Sequence, residues 1–190
     1  MEIREAEGAD RAAIEAVVAA AFDEPVDGRV VAMVRALDDS RATRVRLVAD
    51  DEGVLGYVHL SRGWIDTRAA LAEVLTLTPI AVEPDRQRKG IGTALLAAAI
   101  QQADDLGFPA VVLEGDWTYY GARGFQPAED RGLLRPSDRI PRPAFQVALL
   151  SSYQPEIVGR LVYPEAMWIT DCVGLRDPRL ATVEASIPTS

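Results

Sequence analysis

Apolar residues along the chain change period several times, and each change marks a new element. From Asp10 they fall at Ile14, Val17, Val18, Ala21 and Phe22, the stripe of an amphipathic helix with Asp10 as its cap or first-turn acid. Pro25 and Gly28 punctuate the chain. Val30, Met33, Val34 and Leu37 then outline a second helix, ended by Asp38-Asp39-Ser40. The period next drops to two. Val45, Leu47 and Ala49 alternate with Arg44, Arg46 and Val48, and after an Asp51-Glu52-Gly53 turn Leu55, Tyr57 and His59 alternate with Gly56, Val58 and Leu60. This pattern predicts an antiparallel hairpin. The polar connection from Ser61 to Ala70 is expected to be a surface loop over a site, and Val74 to Val82 is a third strand of the meander. Proline cannot donate to a ladder, so Pro79 belongs at an edge or a bulge and leaves N–H groups free at Ile80, Ala81 or Val82.

A longer helix is predicted over roughly Thr93 to Leu106. Ile91, Leu95, Ala99 and Ala103 form its stripe, with Leu96, Ile100 and Leu106 alongside and Gly107 as C-cap. Ala110 to Leu113 is a continuous apolar run suited to a strand buried on both faces. Strand, helix and strand make one right-handed crossover, so Val74–Val82 and Ala110–Leu113 should be parallel. The fold class is therefore α/β of the mixed, α+β kind: a mostly antiparallel central sheet flanked by helices. Trp117 to Arg123 is short and helix-like, and Gly124-Phe125 restarts extended chain. Pro127 to Pro143 is an excursion rich in Pro, Arg, Asp and Gly. Phe145 to Leu150 reads as a strand and Leu161 to Tyr163 as a last edge strand that could mediate a homodimer. The expected organisation is one domain over residues 1–175 and a tail over 176–190.

Composition removes several classes of function. A chain of 190 residues with a net charge of −9 has no bulk attraction for nucleic acid or an anionic membrane surface. Its one cysteine, Cys172, allows no internal disulfide and reads as an inert buried thiol, in keeping with a reducing compartment. Its one histidine, His59, excludes a histidine-cluster metal site and reads as structural; no metal is expected. The start, Met1-Glu2-Ile3-Arg4-Glu5, is not a signal peptide, and no apolar run reaches membrane-spanning length. The expected location is the cytoplasm.

Against this acidic background the stretch Gln87-Arg88-Lys89-Gly90-Ile91-Gly92-Thr93 stands out. Two glycines between a strand and a helix let the backbone turn tightly and approach a ligand. The helix start offers unpaired N–H groups and partial positive charge, and Arg86, Arg88 and Lys89 add full charge. This is an anion site, suited to the phosphates of a nucleotide-like cofactor. The Walker pattern is absent. The dinucleotide fingerprint has its first two glycines in Gly90 and Gly92 but Leu95 at the third place, although Glu114 lies where a ribose-binding acid would be. That fold also needs repeated strand–helix alternation, which an antiparallel meander does not provide.

Gln87-x-x-Gly90-x-Gly92 resembles the acetyl-CoA site of the GNAT (GCN5-related) N-acetyltransferase family, whose pattern is Q/R-x-x-G-x-G/A. Pro79-Ile80-Ala81-Val82-Glu83-Pro84 precedes it, and Tyr120-Gly121-Ala122-Arg123-Gly124-Phe125 follows with the family's tyrosine, three residues, then Gly-Phe. The order of elements agrees over about residues 2 to 150. Gly115-Asp116, Tyr119-Tyr120 and Tyr163-Pro164-Glu165 are similar to the YhbS-like branch.

The resemblance implies a sheet splayed at the acetyl-CoA site and direct transfer of an acetyl group to a primary amine of a small molecule, peptide or protein. Backbone N–H groups from Arg88 to Thr93 would hold the pyrophosphate, with Arg88 and Lys89 reaching phosphates. Ile80 and Val82 would pair with the pantetheine arm, and an N–H of the Ile80-Ala81-Val82 stretch would polarise the thioester carbonyl. Tyr120 would protonate the departing thiolate. Tyr119 would point elsewhere and pack. The attacking amine needs a base or a water chain; Glu73, Glu83, Glu114 and Asp116 are candidates for the base without a choice among them. Trp64 and Trp117 are candidates for the acceptor pocket or for packing. Arg131, Arg135, Arg139 and Arg142 form a solvated loop or a contact for an acidic acceptor. A CoA-binding regulatory module without turnover is the alternative function.

Overall fold

The computed structural model describes residues 1–22 and 28–174; the predicted break at Pro25 and the tail from Arg176 lie outside the described residues. The strands are β1 (Glu2–Glu5), β2 (Thr43–Asp50), β3 (Val54–Asp66), β4 (Leu71–Val82), β5 (Ala110–Glu114), β6 (Gln126–Pro127), β7 (Leu133–Leu134), β8 (Phe145–Leu149) and β9 (Gly159–Val162). The helices are α1 (Arg11–Ala21), α2 (Arg29–Asp38), α3 (Ile91–Asp105), α4 (Trp117–Gly121) and α5 (Glu165–Ile169). Strand order across the sheet is β1-β2-β3-β4-β5-β8-β6, with β9 beside the far end of β3 and pairing with β7. β1 to β4 form the antiparallel meander, and β5 joins β4 in parallel, as the crossover requires. Among the described residues no helix is long and apolar enough to cross a membrane.

Alternation along the strands sorts residues to two faces. Val48 and Tyr57 pack with Ile14, Val17 and Val18 of α1 and Val34 of α2. Their neighbours Leu47 and Val58 pack with Ile91, Leu95, Leu96, Ala99 and Ala103 of α3. Burying a leucine such as Leu95 contributes roughly 1.5–3 kcal/mol, so α3 is held firmly over β2, β3 and β4. It begins at Ile91, two residues before the predicted start, because Gly90 at φ 88° turns the chain into the helix.

Four expectations are corrected here. The stretch from Ser61 is not a surface loop: β3 continues to Asp66 and β4 starts at Leu71, leaving only a turn at 67–70. The hydroxyl of Ser61 is paired with that of Thr76 across the strands at 2.7 Å, and Ile65 and Val74 are fully buried, so this hairpin belongs to the core. Asp10 occupies the N-cap position of α1 but its side chain makes no cap bond there; it receives two hydrogen bonds from Arg4 and one from the Glu7 N–H, which hold its carboxyl down at about 2. Cys172 is half-buried, with its thiol directed at backbone carbonyls of Arg29 and Thr170. The segment around Tyr163 is no last edge strand either, since β9 lies between β3 and β7.

His59 is structural, as its strand position implies. Thr43 donates to the Leu37 carbonyl at 2.9 Å, so its oxygen receives the His59 Nε2–H at 3.1 Å, and Nδ1 accepts from Tyr57 at 3.1 Å. Burial pushes the imidazole's pKa down to about 3. The native state thus keeps His59 neutral while the unfolded chain protonates it near 6.5. Stability is complete above that value and falls as pH drops toward 3, by about 1.4 kcal/mol per pH unit. Urea titrations at successive pH values should show this slope in the wild type and a shallower one in His59→Gln; parallel curves would remove His59 as the cause.

Candidate active site

β4 and β5 touch only briefly. Leu75 pairs with Val111 and Thr76 with Val112, and there the ladder ends. Beyond it come a cis peptide between Thr78 and Pro79 and an irregularity in the β3 register between Val58 and Leu60. β4 continues against β3 alone, so its other side faces open space. The parity of the ladder decides which groups face that space. The Glu83 N–H bonds to the Leu55 carbonyl, so Ala81 opposite Tyr57 also points its polar groups at β3. The intervening residues Ile80 and Val82 point theirs away, into a cleft of about 790 Å³.

The glycine turn closes one end of this cleft. Arg88 and Gly90 both have left-handed φ, 59° and 88°, and the turn delivers the chain to the N-terminus of α3. Gln87 fastens it to the strand by donating from Nε2 to the Val82 carbonyl at 3.1 Å. Gln87, Arg88, Gly90, Gly92 and Thr93 line the cleft together with Ile80, Ala81 and Val82. Ile91 and Lys89 do not send their side chains into the cleft. The Ile91 side chain is buried in the core under α3, so only its backbone serves the turn. Lys89 donates to the Asp85 carbonyl at 2.9 Å and does not line the cleft.

The opposite wall is the end of β5 and the start of α4. Asp116 caps α4, with Oδ1 accepting from the N–H groups of Thr118 and Tyr119 at 2.7 and 3.0 Å. Tyr120 lines the cleft with its ring against Gly115 and edge-on to Phe125 at 5.6 Å. Its hydroxyl has no hydrogen-bond partner among the described residues, and burial raises its pKa well above the ordinary tyrosine value. Tyr120 therefore stays protonated at neutral pH and can only give a proton.

Tyr119 corrects the sequence reading. It does not point elsewhere: it lines the cleft, and its hydroxyl sits 2.8 Å from where a Cβ on Gly92 would lie. Arg123 stacks on its ring at 3.7 Å and donates from Nε and Nη2 to the Thr93 hydroxyl at 3.0 and 2.9 Å. The sequence reading set Tyr119 aside as packing and gave Arg123 no role of its own, yet 119 and 123 are one helical turn apart and share a face. Glu114 also lines the cleft.

The remaining candidates lie outside it. Trp64 lies under Arg62 at 4.9 Å, and neither it nor Trp117 lines the cleft. The arginines of the 127–143 excursion are used internally: Arg135 and Arg142 on Glu129, Arg131 on Gln126, Arg139 on the Val173 carbonyl.

A mixed sheet that parts between two adjacent parallel strands, over a glycine turn and a helix N-terminus, has the architecture of an acetyltransferase. The chain belongs to the acetyltransferase (GNAT) family, whose model matches residues 12–125. It is similar to the uncharacterized N-acetyltransferase YhbS of Escherichia coli K12, 28% identical over 125 residues that cover 65% of this chain and 72% of that protein. The crystal structure of E. coli YhbS in complex with CoA superposes with a TM-score of 0.78 at 26% identity, covering 87% of this chain and 91% of that one. A GNAT acetyltransferase of Brucella melitensis in complex with acetyl-CoA gives 0.71 at 29% identity, covering 87% and 97%.

Proposed function

We propose that this protein transfers the acetyl group of acetyl-CoA to a primary amine. The observation that carries the reading is the parting of β4 from β5, which turns the N–H groups of Ile80 and Val82 to the cleft beside the α3 N-terminus. The CoA and acetyl-CoA complexes of the two similar proteins support it. Acetyl-CoA supplies an activated thioester, so the protein's task is alignment and charge stabilisation. In this reading Ile80 and Val82 receive an extended chain as an added strand would pair. The N–H groups from Arg88 to Thr93 take phosphate oxygens, helped by the helix dipole. Tyr120 gives a proton to the leaving sulfur.

Arg123 joins this set. It has no carboxylate partner among the described residues, and it is fixed to Thr93 at the first turn of α3. A guanidinium held there neutralises phosphate charge. Arg123→Gln should weaken acetyl-CoA binding about tenfold, or roughly 1.4 kcal/mol, with the thermal midpoint nearly unchanged. An unchanged Kd by calorimetry would take Arg123 out of the cofactor site.

The function itself is tested by release of free thiol from acetyl-CoA across a panel of primary amines. Amine-dependent release is expected. Tight binding without release from any amine would favour a CoA-binding module that performs no transfer.

A further inference from the structure

Four carboxylates were candidates for the base that the acceptor amine needs, and the structure separates them. Glu73 is paired with Arg44 at 3.3 Å, and neither it nor Glu83 lines the cleft. Asp116 lines the cleft, but its Oδ1 is taken up by the cap of α4. Glu114, the last residue of β5, also lines the cleft. Its Oε2 accepts from the Gly174 N–H at 3.0 Å, while its Oε1 is buried and makes no hydrogen bond among the described residues. A buried acceptor in that condition is satisfied when a donor enters beside it. A primary ammonium brings three N–H donors.

We propose that Glu114 is the general base that deprotonates the acceptor amine, held in place by the C-terminal stretch from Tyr163 to Gly174. The proposal rests on the acetyltransferase reading above. Glu114 and Tyr120 both line the cleft, and the Tyr120 ring lies against Gly115, the residue next to Glu114.

The charged and titratable groups facing the carboxyl come from two further segments. Tyr163, fully buried between β9 and α5, sets its hydroxyl beside it. Arg139 adds positive potential from the 127–143 excursion, anchored on the Val173 carbonyl at 3.4 and 3.3 Å. Burial outweighs the lowering effect of Tyr163, the Gly174 N–H and Arg139, and the pKa is pushed up to about 7. A base poised there is partly ionised at neutral pH and still accepts a proton readily.

Glu114 takes one proton from the ammonium and later releases it to solvent. The freed nitrogen lone pair forms the N–C bond to the acetyl carbon. The C–S bond breaks with its electron pair going to sulfur, which takes the Tyr120 proton. The second proton lost by the nitrogen restores Tyr120. Amide, free thiol and one solvent proton result.

The test measures thiol release from acetyl-CoA with spermidine, lysine methyl ester and an amino-terminal glycine peptide over about pH 5.5 to 9. Wild-type kcat/KM should rise through a limb near pH 7, well below the amine's own titration near 10. Glu114→Gln should lose about 10²–10³-fold and with it the limb, while calorimetry shows acetyl-CoA affinity unchanged. Tyr163→Phe removes a group that favours the carboxylate, so its limb should move to higher pH. A Gln variant that keeps wild-type rate or limb overturns the assignment. If none of these amines turns over, ¹³C NMR of the glutamate carboxyls decides. A resonance titrating near 7 and missing from Glu114→Gln supports the proposal, and a value near the ordinary ~4.3 overturns it. Failure of the wild type to bind acetyl-CoA would instead bring down the acetyltransferase reading, and the NMR titration would still judge the carboxyl.

Discussion

Tyr120→Phe should lower kcat by about 10²–10³-fold, the usual contribution of a general acid, and leave the Kd for acetyl-CoA within about twofold. The substitution deletes one oxygen and keeps the ring that packs on Phe125 and Gly115. No hydrogen bond is lost, because the hydroxyl makes none with the described residues, so folding stability should change little. Rapid-quench kinetics alongside calorimetry would separate the two quantities. Equal losses in binding and turnover would make Tyr120 a cofactor contact. Unchanged turnover would place the acid elsewhere, with Tyr119 the next group in the cleft.

Gly115→Ala should be nearly as damaging by a different route. A Cβ on Gly115 would lie 2.3 Å from Tyr120 Cε2 and 2.9 Å from Cδ2. Real carbon atoms do not approach so closely, so the ring must move. It has little room, since Phe125 stands edge-on at 5.6 Å and Tyr119 at 5.0 Å. Overpacking of this kind costs about 1–3 kcal/mol, visible as a lowered denaturation midpoint. The displaced hydroxyl should also cost kcat about 10²-fold. Tyr120→Phe in the Gly115→Ala background should then add little, because both changes remove the same group. Full additivity of the two would show that Gly115 acts only on stability.

Much of this architecture was legible because the hydrophobic period changes cleanly. The two-residue alternation at 45–60 and the stripe through Leu95 and Ala99 each have one good structural solution, and those solutions formed. The glycine turn was legible because Gly90 and Gly92 sit between a strand and a helix, and Pro79 announced the loss of pairing that opens the cleft. What escaped were side chains whose roles depend on long-range neighbours. Ser61 looked like loop because its partner Thr76 is fifteen residues away. Lys89 looked like a phosphate ligand by charge alone, yet the turn bends it back to Asp85. Glu114 could not be told from Glu73, Glu83 and Asp116, since its distinction is the Gly174 N–H and Tyr163 arriving from far down the chain. The roles of Tyr119 and Arg123 depend on the segment from α4 to Arg123 lying against the α3 N-terminus.

The central claim is that the cleft between β4 and β5 binds acetyl-CoA. Calorimetric titration of acetyl-CoA into the wild-type protein tests it without any knowledge of the acceptor. One equivalent should bind with a Kd on the order of micromolar to a few hundred micromolar, as for working cosubstrates, and about tenfold more weakly in Arg123→Gln. Absence of binding heat at millimolar acetyl-CoA, across temperatures, would contradict the account.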